Sequence, residues 1–265
     1  MPRVRVQAAG GSRVLPLDSP VSATRDQAIC LRHWDFSETS QTVSLLTRAH
    51  GVVRGLAKGS RRPGSPFSGG IELLTLAEVA FIIKPSTELA LVTEWDLARS
   101  YPALRTDLHL YHAALYAGEI AQMMVRDQDP HPQVFDALAG ALGGLTDPSR
   151  VHPELLAYHW RLLRGCGFEM RLDADVVTGA ALPGAGVVQF APDLGGFTTD
   201  RAAHSGERWP ARVETVAMLR KAADGAEIEA ESAPVIRAGA LLSAFARHLI
   251  GVPARTASLV YPPRG

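Results

Sequence analysis

The sequence predicts an α+β protein: an N-terminal five-stranded OB-type β-barrel followed by an all-helical domain with a small irregular or β insert. Three observations predict it. From Ala23 to about Leu97, short apolar runs rich in β-branched residues alternate with Gly and Pro punctuation. After Tyr101-Pro102 the apolar spacing becomes helical. Over 168–206 the chain turns Gly-, Ala- and Pro-rich before helical spacing resumes. The expected organisation is an extension over 1–22, a barrel over 23–99 and a helical domain over 100–260, with the insert inside the last.

The elements follow in order. The first 20 residues contain arginines but no apolar h-region, so they make a poor signal peptide and read as a loose extension or an added edge strand. Strands are expected at Ala28–Arg32, Thr42–Thr47, Gly51–Lys58, Leu73–Ile83 and Leu89–Trp95, with turns at His50-Gly51 and Lys84–Thr87. Five short strands in this length suit a small antiparallel barrel. A helix is expected over Leu104–Arg126, with Asp107 and Glu119 on its polar side. Further helices are expected at Phe135–Leu145, Pro153–Cys166, Arg208–Ala223 and Pro234–Ile250. Pro153 starts the third of these five helices, and Gly165 and Gly167 end it. Within the insert, Val187–Phe190 and Gly196–Thr199 read as short strands.

Composition narrows the function. Of 265 residues, 46 % are hydrophobic, enough for a buried core. Lys plus Arg equals Asp plus Glu, at 27 each, so attraction to a polyanion must come from local clustering. Two distant cysteines, Cys30 and Cys166, exclude a disulfide framework and an all-cysteine zinc site. No apolar run reaches the roughly 18–20 residues that span a bilayer. The expectation is a soluble, cytoplasmic protein with no membrane partner.

Motifs for catalysis are missing. Gly55–Ser60 has the residue types of a Walker A loop in the wrong order. Gly184 and Gly186 lack the third glycine of a dinucleotide fingerprint, and no G-x-S-x-G elbow occurs. His109 and His112 have no further ligand motif around them. Cys166 sits at a helix C-terminus, where the dipole disfavours a thiolate. No catalytic residue, cofactor or metal is expected.

Charge clustering is the informative feature. The stretch GLAKGSRRPGSPF, Gly55–Phe67, holds Lys58, Arg61 and Arg62, no acid, and five Gly or Pro positions. On a strand through Lys58, Arg54 and Lys58 share a face, and Arg61-Arg62 project from a flexible loop. Gly59 and Gly64 there permit close approach of a ligand. Two readings stand: a phosphate-tracking groove, extended by Arg25, Arg32 and His33, or a solvated barrel surface. Trp34, Phe36 and Phe67 are the nearby aromatics; core or loop packing is the expectation for each, with base stacking the alternative. Scarce aromatics favour backbone-dominated, sequence-tolerant binding.

The run AICLRHWDFSETSQTVSLLTRAHGVVRGLAKGSRRPGSPFSGGIELLTLAEVAF resembles the N-terminal domain of the RecO family of bacterial DNA repair proteins. The motifs are Asp35–Thr39, Leu45-Leu46-Thr47 to Gly51, the basic Ala57–Pro63 loop and Leu74–Glu78. The likeness continues through Tyr101–Leu108, Leu162–Phe168, Leu172-Asp173 and, more weakly, Leu241–Gly251. It implies a non-catalytic recombination mediator that binds single- and double-stranded DNA and anneals complementary strands. It also implies cooperation with RecR and single-stranded-DNA-binding protein in loading RecA. Arg32, Arg54, Lys58, Arg61 and Arg62 are the expected DNA contacts. Arg126, Arg150, Arg161 and Arg164 are the expected hold on an acidic partner tail. The alternative is a generic OB-type single-stranded nucleic-acid-binding or protein-interaction module.

One departure from the family pattern stands out. Many members carry two C-x-x-C pairs, which here fall near Asp175 and Thr178 and near Thr199 and Ala202, with no cysteine left. Asp175, Asp200 and His204 could ligate a metal in principle but make a poor zinc set, so the resemblance implies a degenerate zinc-finger region, expected to be held by packing and hydrogen bonds.

Overall fold

The computed structural model describes residues 23–67, 69–84, 87–200 and 206–262. The expected N-terminal extension, part of the Lys84–Thr87 turn, and His204 lie outside the described residues. Five strands close into a barrel: β1 (Thr24–Asp35), β2 (Gln41–Thr47), β3 (Gly51–Ala57), β4 (Leu76–Ile82) and β5 (Ala90–Arg99), in the order β1-β2-β3-β5-β4. Every pairing is antiparallel except β3 with β5. A Cβ at Gly55 would lie 2.6 Å from Val92 Cγ2, so only glycine lets the closing parallel pair come together there.

Strand alternation makes two cores. Cys30, Leu45, Val53, Val79, Phe81, Val92 and Trp95 point inward and fill the barrel, which Phe67 and Ile71 complete. Their neighbours Ile29, Leu46 and Val52 point outward and join the core of the helices. Leu31 joins them through a bulge in β1, where the register shifts between Cys30 and Arg32. Leu31 and Leu74 both lie where a Cβ on Gly118 would sit, so the barrel packs closely onto the helix behind it.

The strands differ in length from the pattern expected, because polar residues pair as well as apolar ones. β1 runs three to four residues further at each end, with Gln27 donating to Glu78 at 2.9 Å across its pair with β4. β4 starts only at Leu76, since Leu74 has a positive φ of 55° and its segment bonds to Cys30 instead.

The single helix expected over Leu104–Arg126 is two: α1 (Ala103–Thr106) and α2 (Leu108–Met124). Asp107 separates them as the N-cap of α2, accepting from the Leu110 amide at 2.9 Å. Glu119 is a second correction: it is buried, not on a solvated face. It accepts from the Thr256 amide at 2.9 Å and hydroxyl at 2.6 Å, and Arg32 of the barrel lies 3.5 Å away. Burial alone would raise this carboxyl. The hydrogen bonds from Thr256 and the Arg255 amide, with Arg32 nearby, hold it below the usual range.

α3 (Pro132–Gly144) and α4 (Val151–Gly165) follow. The insert forms a three-stranded sheet ordered β7-β6-β8, from β6 (Val187–Ala191), β7 (Gly196–Thr198) and β8 (Trp209–Arg212). The helix expected from Arg208 therefore begins as a strand, and α5 is Val213–Ala223. Pro210 is tolerated because β8 is an edge strand. α6 (Ala233–Ile250) ends at Gly251 in the left-handed region, and a short α7 (Ala257–Val260) closes the chain against α2. Among the described residues no helix is long and apolar enough to cross a membrane.

Candidate nucleic-acid interface

The basic segment follows β3, which ends at Ala57, so Lys58 belongs to a turn and not to the strand face of Arg54. The loop was expected to be flexible, but it is fastened to the start of β2. Gln41, buried at the end of the barrel, accepts from the Ile71 amide at 3.0 Å and from the Ser60 hydroxyl at 2.9 Å. It also donates to the Ile71 carbonyl at 3.0 Å. The Gly59 amide donates to Ser40 Oγ, and the Arg61 amide to the Thr39 carbonyl. Gly59, at φ +66°, makes the turn, and the Arg62 stem packs over it rather than leaving it open. Phe67 plugs the barrel, as the packing expectation had it.

Lys58, Arg61 and Arg62 project from this fixed loop and are exposed. Arg61 pairs with Asp35 at 2.5 Å, which joins the loop to the end of β1. Among the described residues Lys58 and Arg62 have no acidic partner within ion-pair distance. Arg32, Ser44 and Arg54 face one another across β1, β2 and β3, so their side chains form one row on the outer surface. α2 and its C-terminal loop meet that row. Arg32 reaches Glu119, Ser44 accepts from Gln122 at 3.0 Å, and Arg54 pairs with Asp127 at 3.2 Å. Arg54 stays exposed; Arg32 is half-buried against the helix. The next outer row is Trp34, Thr42, Leu56 and Leu91. Trp34 is 52 % exposed and Phe36 63 %, so these two aromatics are not core residues. Basic side chains and two open rings therefore share one end of the barrel.

No local pattern in the sequence marks a second surface. A groove of about 870 Å³ runs between α6, α7 and β8. Leu241 and Ile250 lie on its apolar wall, and Arg212, Arg237, Arg247 and Arg255 on its rim. No acidic residue lines it among the described residues. The Arg237 Nε is buried with no hydrogen-bond partner among the described residues. Of the arginines expected to hold a partner tail, Arg126, Arg150, Arg161 and Arg164, none lines this groove; Arg150 pairs with Glu154 and Arg164 with Glu169.

Among the described residues the insert gathers no zinc ligand set. Asp175 is buried and accepts four hydrogen bonds: from the amides of Val177 (2.9 Å), Thr178 (3.1 Å) and Thr199 (2.7 Å), and from the Thr199 hydroxyl (2.8 Å). These link Asp175 and Thr178 to Thr199, the positions at which the resemblance implies cysteine pairs. Burial opposes ionisation of Asp175, but the Thr199 and Val177 amides, the Thr199 hydroxyl and the Thr178 amide hold its carboxyl well below the usual range. Its oxygens are committed to these donors, and no group of three or more His, Cys, Asp or Glu is placed to hold a metal among the described residues. Burial raises the Cys166 thiol to about 11, with Asp129 adding to the shift, so at neutral pH it is not a thiolate.

An OB-type barrel with a fixed basic loop, backed by a helical domain that shares its core, defines the class of protein. The Recombination protein O N-terminal model matches residues 21–101, and the Recombination protein O C-terminal model matches 105–257. A DNA repair protein RecO from Anaeromyxobacter sp. (strain Fw109-5) is 33 % identical over 84 % of this chain and 90 % of its own. One from Rhodopirellula baltica is 40 % identical over about half of each chain, at 53 % and 52 %. A third, from Cutibacterium acnes, is 33 % identical over 74 % of this chain and 80 % of its own. The chain belongs to the Recombination protein O family of DNA repair and recombination proteins.

Proposed function

We propose that this protein is a non-catalytic recombination mediator that binds single- and double-stranded DNA at the loop end of its barrel. The observation that carries this is the fixed loop, which presents Lys58 and Arg62 without acidic partners among the described residues, beside exposed Trp34 and Phe36. Lys58, Arg61 and Arg62 contact phosphates; Arg54 and Arg32 extend the field, each tempered by its acidic neighbour. Trp34 and Phe36 stack on bases, which favours single strands. Screening phosphate repulsion between two strands in this way supports annealing without nucleotide hydrolysis. The protein acts in the cytoplasm, on DNA coated by single-stranded-DNA-binding protein, and with RecR it helps load RecA.

The arginine-rimmed groove suits the acidic C-terminal tail of single-stranded-DNA-binding protein, with carboxylates on the rim and an apolar end inside. Fluorescent single-stranded DNA titrated across a salt series tests the main reading. Wild type loses affinity linearly in log salt, and Lys58/Arg61/Arg62→Ala flattens the slope by about 2, at roughly 0.7 per contact. Identical slopes would show that the loop is only a solvated surface.

A further inference from the structure

The wall of the groove that carries Arg255 is the segment after α6. Pro253, Ala254, Arg255, Ala257 and Ser258 line the groove, while Thr256 in their midst bonds the other way, to Glu119 of α2. This segment has little regular structure of its own: α7 has four residues, too few to hold a helix unaided. Its shape is therefore set by what it is fastened to. At its far end the Tyr261 ring meets Tyr116 of α2 edge-on, with centroids 5.8 Å apart, and a Cβ on Gly239 would collide with the Tyr261 hydroxyl. In its middle, Glu119 Oε2 accepts from the Thr256 amide at 2.9 Å and hydroxyl at 2.6 Å. Ile120, next to Glu119 on α2, lines the groove as well.

The two oxygens of Glu119 are divided between two surfaces. Oε2 serves Thr256, and Oε1 faces Arg32 of β1 at 3.5 Å. Burial opposes ionisation, yet the Thr256 and Arg255 donors, with Arg32, hold the carboxyl below the usual range, so Glu119 is an anion at neutral pH. A hydrogen bond to a charged acceptor is about twice as strong as a neutral one, so the charge tightens the wall. The same charge acts on the half-exposed Arg32 guanidinium. There it competes with any phosphate that approaches the row of Arg32 and Arg54.

We propose that Glu119 is a positioning residue for both surfaces: it seats the groove wall that presents Arg255, and it holds Arg32 back from DNA. This rests on the groove taking an acidic peptide and the barrel taking DNA, and the test keeps those readings apart from it. Two affinities are measured. One is for a fluorescent peptide with an aspartate run and an apolar C-terminal residue, the other for fluorescent single-stranded DNA. The proteins are wild type, Glu119→Gln, Thr256→Val, Thr256→Ser and Arg247→Glu. Arg247→Glu reverses a rim charge on α6, away from the anchored wall. Near-ultraviolet circular dichroism checks each fold.

In the expected result Thr256→Val, which loses the hydroxyl, binds the peptide about 3- to 10-fold more weakly, the effect of one hydrogen bond. Thr256→Ser keeps the hydroxyl and binds like wild type, and both bind DNA as wild type does. Glu119→Gln weakens peptide binding but strengthens DNA binding about 2- to 3-fold, the scale of an exposed ion pair. Opposite shifts from one substitution do not come from general loosening of the fold. If Thr256→Val and Glu119→Gln bind the peptide like wild type while Arg247→Glu does not, the wall needs no anchor, and the proposal is overturned with the groove reading intact. If Glu119→Gln lowers DNA affinity or leaves it unchanged, Arg32 is not held back, and the proposal is overturned with DNA binding intact. If Arg247→Glu leaves peptide binding unchanged, or wild type binds no peptide or no DNA, the reading of that surface fails and takes the positioning role with it.

Discussion

In the loop after β3 and in the insert after α4 one buried polar side chain gathers several hydrogen bonds, but the two side chains are of opposite kinds. Gln41 fastens the basic loop with a neutral amide that both donates and accepts. Asp175 fastens the insert with a carboxylate that only accepts, from four donors. A neutral anchor beside three cations holds the loop without adding a negative charge to it. An anionic anchor suits the insert, where converging amides supply the opposite partial charge.

Breaking the insert anchor gives the largest effect. Asp175→Ala strands four donors, and we expect a loss of about 3–4 kcal/mol in urea unfolding. A chelator does nothing to wild type; one equivalent of tightly bound zinc in the purified protein would refute the hydrogen-bonded account. Gln41→Ala removes three bonds and costs about 2–3 kcal/mol. It also weakens single-stranded DNA binding with Lys58, Arg61 and Arg62 all present, because the loop is no longer fixed. Unchanged affinity would mean that its order is irrelevant to binding.

Acid sharpens the contrast. The folded Asp175 carboxyl titrates below its unfolded value, so its stabilisation is full above the unfolded pKa of about 3.9 and is lost as pH falls through the folded one. Glu119 has the same sign. Hydrogen exchange below about pH 4 should therefore expose the Val177 and Thr199 amides while that of Ile71 stays protected. Glu119→Gln, in the seam between barrel and helices, costs about 1–2 kcal/mol near neutral pH and less in acid. The smallest effect on stability belongs to Lys58/Arg61/Arg62→Ala, within about 0.5 kcal/mol, because only the exposed Arg61–Asp35 pair is lost.

Strand and helix positions were legible where periodicity is local. Leu45/Leu46 and Val52/Val53 alternate as a barrel wall requires, and Pro and Gly mark the ends of α4 and α6 closely. Glu119 was misjudged because helical spacing identifies a polar position without showing what faces it; here Arg32 and Thr256 do. Trp34 and Phe36, expected in core or loop packing, are exposed, because an aromatic at a strand end does not show by itself what covers it. The arginine-rimmed groove was invisible because Arg212, Arg237, Arg247 and Arg255 come from separate elements.

The sequence by itself determined the order of barrel, helices and insert, the cluster of Lys58, Arg61 and Arg62, and the absence of cysteine at the insert, since each is a matter of residue type and short-range spacing. Tertiary structure alone decided that the basic loop is fixed by Gln41, that Arg32 and Arg54 face acids of the helical side, and that Asp175 gathers four donors across 24 residues. Those outcomes depend on which groups meet across long sequence separations, where a buried polar side chain is stable only with the partner that the fold brings to it.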